Sequence, residues 1–275
     1  MANRGTHPKE LIAFRSGMTN KSDFHGCLDA GADIGVVACK LTSSQILISL
    51  PKHLDNGHKA FIDSGAFTSF RTGEEIDFHM VLRDYESVAE MTDRPENLYV
   101  VAPDAVGDQI KTLELLEAYK ERLQALIKRG VRLIVPLQVG QLSAPDMLAA
   151  CVEILATDRF VAGIPSNKAA MGIHECMTLK HHAFHILGKV QGDPEQQERV
   201  SALVSGNPNA QISADANWLR SRLDTIRKLT DVSDADPSRS ARAKAITLSI
   251  KNDLAWGNLA IRHTGHQLDL FSAAA

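Results

Sequence analysis

Two periodicities alternate along the chain. Short apolar runs, rich in Val, Ile and Leu, are followed by longer stretches in which apolar residues recur every three or four positions. The short runs read as buried strands and the longer stretches as amphipathic helices. The clearest helix follows Asp108: Ile110, Leu113, Leu116, Tyr119, Leu123, Leu126 and Ile127 mark one face, with Asp108 as its start signal and Gly130 as its end. Further helices are predicted over 24–30, 74–92, 145–156, 167–181, 195–204 and 218–229, and another, interrupted near Gly257, over 239–262. Strands are predicted at Lys59–Asp63, Leu98–Ala102, Arg132–Leu137, Arg159–Gly163, Ala183–Leu187 and Ala210–Ser213. Three earlier runs, Glu10–Phe14, Ile34–Cys39 and Gln45–Leu50, also read as β-rich, with Pro51–Gly57 as a turn, and residues 1–8 carry no structural pattern.

Strands separated by helices in this rhythm form parallel βαβ units. Six units from Lys59 onward, with two of the earlier runs, give the eight of a (β/α)8 TIM barrel, a single domain over residues 1–262. The alternative is an open doubly wound sheet. That fold usually shows a glycine-rich phosphate loop after its first strand, and neither GxGxxG nor GxxxxGK[ST] occurs here.

Composition narrows the partners more than the fold. Hydrophobic residues make up 44% and charged residues 23%, with a net charge of −3, so a nucleic acid would have to be held by a local basic patch. No apolar run is long enough to cross a bilayer, and the N-terminus lacks an apolar signal core, so a cytoplasmic protein is expected. The cysteines, Cys27, Cys39, Cys151 and Cys176, form no CxxC pair and read as reduced thiols.

The chemistry is concentrated where the strands stop. In chain order the strand ends carry Asp63, Asp104, Gln138, the loop from Gly163 to Ser166, Gly188 and Asp215. In a barrel these positions converge on one rim, where such folds place their sites. Each residue alone has an ordinary reading. Asp63 and Asp104 suit turns, Asp215 suits a helix N-cap, and Gln138 can satisfy backbone groups. Four such groups at corresponding strand ends favour a functional reading.

The motifs Asp63-Ser-Gly-Ala-Phe67, Pro103-Asp104 with Val106-Gly-Asp108, Leu137-Gln-Val-Gly140, Ala162-Gly-Ile-Pro165, His185-Ile-Leu-Gly188 and Ser213-Ala-Asp215 resemble, in this order, the tRNA-guanine transglycosylase superfamily. They are most similar to its DNA-acting branch, the DpdA-type 7-deazaguanine transglycosylases of phages and bacterial genomic islands. The resemblance covers roughly residues 59–218. It implies that Asp215 is the nucleophile on C1′ of the target guanosine and that Asp63 is the general acid/base. Asp104 and Gln138 would read the purine edge, helped by Ser64 and by backbone around Gly163, and Phe67 would stack on the base. It also implies DNA as the macromolecular substrate, a preQ0-like 7-deazapurine as the incoming base, and no cofactor. Such chemistry has a physical basis: one carboxylate can carry a glycosyl intermediate while a second moves the proton of the leaving base.

The sequence departs from the family pattern in two places. Ala66 and Thr68 stand where the family usually has Gly and Gln. No cysteine follows Cys176, so the zinc-binding subdomain of the tRNA-acting members is absent and no metal is expected. His174, Cys176, His181, His182 and His185 lie close in sequence, but their spacing splits them between helix faces, and they read as surface and core residues. Loss of the zinc subdomain argues against tRNA, which stays the second choice of substrate. The same residues would also suit a base-excising glycosylase, or a non-catalytic barrel that binds nucleic acid.

The segment 263–275 reads as a flexible tail. Within it Gln267-Leu268-Asp-Leu270-Phe271 resembles the linear peptide with which bacterial proteins bind the DNA sliding clamp. A terminal strand docked on the barrel is the bland reading of the same residues. Arg220, Arg222, Arg227 and Lys228 are candidates for phosphate contacts, although an Arg-rich helix is commonly just a solvated face.

Overall fold

A computed structural model describes residues 11–16, 18, 21–41, 44–165, 171–188, 194–216, 247, 262–264 and 267–269. Eight parallel strands close into a barrel: β1 (Leu11–Arg15), β2 (Ile34–Val37), β3 (Ala60–Asp63), β4 (Leu98–Val101), β5 (Arg132–Pro136), β6 (Val161–Pro165), β7 (Ala183–Leu187) and β8 (Gln211–Ala216). Each strand pairs with the next, and β8 pairs with β1 over five residues, including Phe14↔Asp215. Between them lie α1 (Lys21–Asp29), α2 (Ser44–Asp55), α3 (Ala66–Thr72), α4 (Phe78–Glu90), α5 (Gln109–Arg129), α6 (Ala144–Leu155), α7 (Ile173–Thr178) and α8 (Pro194–Gly206). The chain is therefore a (β/α)8 barrel, as the alternation of the two periodicities predicts.

Side-chain alternation along the strands separates two apolar layers. Ile12, Phe14, Phe61, Tyr99, Val101, Ile134, Val161 and Ala183 fill the barrel interior. The intervening residues, such as Ala60, Ile62, Leu98, Val100, Leu133 and Val135, face outward and pack with the helices. From α5, Leu116, Leu123 and Leu126 are buried in this outer layer, where truncating one Leu to Ala costs about 2–5 kcal/mol. Asp108 caps α5 by accepting the Lys111 N–H at 2.9 Å, and Gly130 closes it, both as the sequence indicates.

Several boundaries differ from the sequence reading. Gln45–Leu50 is part of helix α2, not a strand, and α2 runs through Pro51 to Asp55. Ile46, Leu50 and Leu54 lie four residues apart and are all buried, while Ile48 is exposed. The apolar run is thus one side of a helix continuing past Pro51. The helix predicted from 74 begins at Phe78, because Asp77 accepts the Met80 N–H and caps it there. The helix predicted over 167–181 is the short α7. The helix α3 carries Phe67, Phe70 and Arg71 on a seven-residue turn that its polar sequence does not reveal. The stretches 218–229 and 239–246, with the candidate phosphate ligands Arg220, Arg222, Arg227 and Lys228, lie outside the described residues.

The tail contains regular structure where a free peptide is expected. Strands β9 (Arg262–Thr264) and β10 (Gln267–Asp269) pair antiparallel, with Gln267 opposite Thr264 and Leu268 opposite His263. Leu270 and Phe271 lie outside the described residues.

Candidate active site

The strand ends on one rim enclose a cavity of about 410 Å³, within the range of small-molecule sites. Its walls are largely apolar, with Phe61, Val101, Val106, Pro136, Pro165 and Leu187. Its polar groups are Asp63, Asp104, Gln138 and Asp215, with the backbone of Gly188. No Lys or Arg is among the described lining residues. The four strand-end side chains singled out from the sequence thus share one cavity. Phe67, on α3, also lines it, and is 52% exposed at the edge.

Asp63 closes β3, two residues beyond Phe61 and on the same inward face. Its Oδ1 accepts the Gly65 N–H at 3.2 Å. Burial first, and then repulsion from Asp215, push its carboxyl up to about 6. Asp104 is buried beyond β4. Burial and the neighbouring Asp63 push it up to about 7, against a lowering by the Gln138 amide. At neutral pH these two groups therefore sit close to their own titration points, the condition under which a carboxyl both gives and takes a proton.

Below this pair lies Tyr85 of α4, fully buried, whose hydroxyl reaches Val101 O at 3.2 Å and Ile62 O at 3.4 Å. The β3–β4 ladder ends at Ile62↔Val100. The hydroxyl therefore bridges the two strands where their mutual pairing stops, just beneath the carboxylates they carry.

Gln138 is oriented on both sides. Its Oε1 accepts the Gly107 N–H at 3.0 Å, and its Nε2 donates to Asp104 Oδ2 at 2.9 Å. The loop behind it is fastened by Gln109, whose Nε2 donates to Gln138 O and Leu142 O and whose Oε1 accepts the Leu142 N–H. This fastening leaves no room at Gly140, where an added Cβ would lie 2.5 Å from Gln109 Cβ. Gly140→Ala is therefore expected to destabilise the fold by about 1–3 kcal/mol through overpacking. It should also loosen Gln138. Chemical denaturation measures the first effect, and an unchanged midpoint would contradict the packing.

Asp215, inward-facing on β8, is held by two donors on one oxygen. His185 Nε2 and the Gly188 N–H both reach Oδ1 at 3.3 Å. No described residue donates to Oδ2. Gly188 has φ 88°, a left-handed conformation that a residue with a Cβ adopts only with strain. His185 is fully buried, stacked on Phe61 with ring centroids 4.8 Å apart, and bonded through Nδ1 to Ser213 Oγ at 2.9 Å.

The sequence groups His185 with its neighbouring histidines as a surface or core residue. Strand alternation separates them: His185 and Ser213 are directly paired across β7 and β8 inside the barrel. His181 precedes β7 and bonds Phe160 O at the opposite rim. Among the described residues, no three His, Cys, Asp or Glu side chains are grouped to hold a metal ion.

Two candidates have structural roles in this arrangement. Ser64 is buried and its Oγ accepts the Ala66 N–H at 3.3 Å. Gly163 does not line the cavity. Its carbonyl accepts the Leu137 N–H, and an added Cβ would lie 3.0–3.1 Å from Ile134, Leu187 and Pro136. Pro165, two residues on, is the β6 residue that faces the cavity.

No protein-family model and no curated protein sequence matches the chain. Solved structures do. A candidate fructose-1,6-biphosphate aldolase from Coccidioides immitis superposes with a TM-score of 0.55 at 8% identity, covering 91% of this chain and 89% of its own. The YdjI aldolase from Escherichia coli K12 superposes with a TM-score of 0.53 at 12% identity, covering 88% and 90%. Likeness at these identities reflects the shared architecture: the chain is a (β/α)8 barrel.

Proposed function

We propose that the protein is a DNA base-exchange transglycosylase that replaces guanine with a preQ0-like 7-deazaguanine through a glycosyl ester on Asp215. The observation that carries this reading is the meeting of Asp63, Asp104, Gln138 and Asp215 in one cavity, with Asp215 Oδ2 bonded to no donor among the described residues. The order of motifs from Asp63 to Asp215 supports it independently.

In this reading, Asp215 Oδ2 supplies an electron pair to C1′ of the target nucleotide. The C1′–N9 bond breaks, its electron pair leaves with guanine, and the Asp63 carboxyl protonates the base. The incoming base then loses its N9 proton to the Asp63 carboxylate. N9 bonds to C1′, and the C1′–Oδ2 pair returns to Asp215. A carboxyl near neutrality can serve in both directions, as the position of Asp63 at about 6 provides. Asp104 and the amide of Gln138 face the donor and acceptor edge of the purine. Phe67 offers a stacking surface at the entrance for a nucleotide drawn out of its strand. The DNA partner gives a purpose to the clamp-like residues Gln267, Leu268, Leu270 and Phe271, whose engagement requires β10 to leave β9.

The test is incubation of guanine-containing DNA and, in parallel, tRNA with preQ0, followed by digestion and mass analysis of the nucleosides. Modified deoxyguanosine is the expected product. Modification of tRNA alone would replace the substrate, release of guanine without incorporation would indicate excision, and no reaction on either by folded protein would reject the proposal.

A further inference from the structure

We infer that Ser213, His185 and the Gly188 N–H form a donor relay that positions Asp215 and drives release of the sugar from it; this inference rests on the proposed glycosyl ester. A carboxylate only accepts, so the 3.3 Å contact to Asp215 Oδ1 puts the proton on His185 Nε2. With the ring proton on Nε2 alone, Nδ1 is an acceptor, and the Ser213 hydroxyl 2.9 Å away donates to it. The same hydroxyl lies 3.3 Å from Phe184 O, a competing acceptor, and His185 and Ser213 are both buried. Stacking on Phe61 fixes the ring plane. His185 reaches the reacting carbons only through Asp215 and is therefore a positioning residue.

Both donors meet the same oxygen, Oδ1, which leaves Oδ2 for C1′. This asymmetry has a kinetic consequence. When Oδ2 is glycosylated, Oδ1 becomes an ester carbonyl and a weaker acceptor. When the incoming base bonds to C1′, the C1′–Oδ2 pair returns to the carboxylate, and negative charge reappears on Oδ1 in front of two donors. Hydrogen bonds that strengthen as charge develops accelerate that step. The relay thus favours departure of the sugar over its capture.

The test follows a single turnover on guanine-containing DNA with preQ0, quantifying covalent protein–DNA adduct and product. His185→Phe keeps the ring stacked on Phe61 and removes both nitrogens. Its adduct is expected to persist, with release slowed about 10–100-fold, the effect of losing a hydrogen bond to a charged group. His185→Gln, which restores a donor near Nε2, is expected to recover most of the rate. Ser213→Ala should slow release by about 3–10-fold. Thermal melting establishes that each variant is folded.

A second measurement reads the relay without turnover. Long-range proton–nitrogen correlation of the imidazoles, assigned by the signal missing from His185→Phe, is expected to show His185 with its proton on Nε2. A proton on Nδ1 overturns the inference. So does a folded His185→Phe protein whose adduct and product kinetics match the parent. Absence of adduct and product with the parent protein rejects the transglycosylase reading itself, and the relay's role with it.

Discussion

Replacing Asp215 with asparagine is expected to reduce base exchange by at least about 10⁴-fold, the scale of losing a covalent nucleophile. The amide keeps the shape of the carboxylate, and its oxygen can still accept from His185 and Gly188. What it cannot do is form a glycosyl ester. The covalent adduct should vanish with turnover, while thermal stability stays close to the parent's. Asp215→Ala serves as the control against conversion of asparagine back to aspartate. Asp63→Asn should behave differently, with a loss of about 10²–10⁴-fold, the range for a general acid/base. If Asp215→Asn retained adduct formation and Asp63→Asn lost it, the two roles would have to be exchanged.

The second large effect is one of stability. Asp104→Asn is expected to stabilise the protein above pH 7 by about 2–4 kcal/mol while impairing exchange. In the folded protein Asp104 is pushed up from 3.8 to about 7, chiefly by burial and then by Asp63. A rise of that size corresponds to roughly 4 kcal/mol of preference for the neutral form. The sign follows from linkage. Below about pH 4 the carboxyl is neutral in both folded and unfolded chains, and no penalty exists. Between pH 4 and 7 only the unfolded chain ionises freely, so the parent loses stability as pH rises through this window. An amide has no such penalty.

His53 and His181, lowered mainly by burial, act in the opposite direction and destabilise the fold as pH falls below about 6.5. They are common to parent and variant and cancel in the difference. Denaturation at pH 4 and pH 8 decides the matter: equal differences at both would exclude Asp104 as the strained group. Asp63 and Asp104 interact, so their two asparagine variants should combine less than additively.

Much of this arrangement could be read from the chain. Strand ends are where a buried apolar run meets a polar residue, and Asp63, Asp104, Gln138 and Asp215 are visible on that ground alone. The long period of α5 and its caps are equally plain. Other features depend on contacts between distant segments. His185 lies among other histidines in sequence, and only the pairing of β7 with β8 sets it beside Ser213 and Asp215. The alternation in Ala183-Phe-His-Ile-Leu187 and Gln211-Ile-Ser-Ala-Asp215 does carry the signal, since odd-numbered positions in both face inward. Gln45–Leu50 is ambiguous because six residues of mostly apolar sequence suit a strand or a helix. The backbone role of Gly163 is implied by the motif resemblance alone, while its lack of a side chain answers crowding from β5 and β7, which only the folded barrel reveals.

The pairing that closes the barrel bears on when the site comes into being. β1 meets β2 through one residue pair, Arg15↔Ile34, but meets β8 through five. The first strand is therefore held mainly by the last, across nearly 200 residues of intervening chain. Such long-range closure is slow, because loop entropy is lost before contacts compensate for it. During synthesis Asp63, Asp104 and Gln138 emerge well before Asp215, and the chain spends that interval with an open seam beside β1. A chain ending at residue 206 is expected to be cut by protease within β1, Leu11–Arg15, far faster than the full-length protein. Equal protection would mean that β1 has a partner other than β8. Closure of the barrel by β8 is thus what brings Asp215 to the rim that already holds Asp63, Asp104 and Gln138.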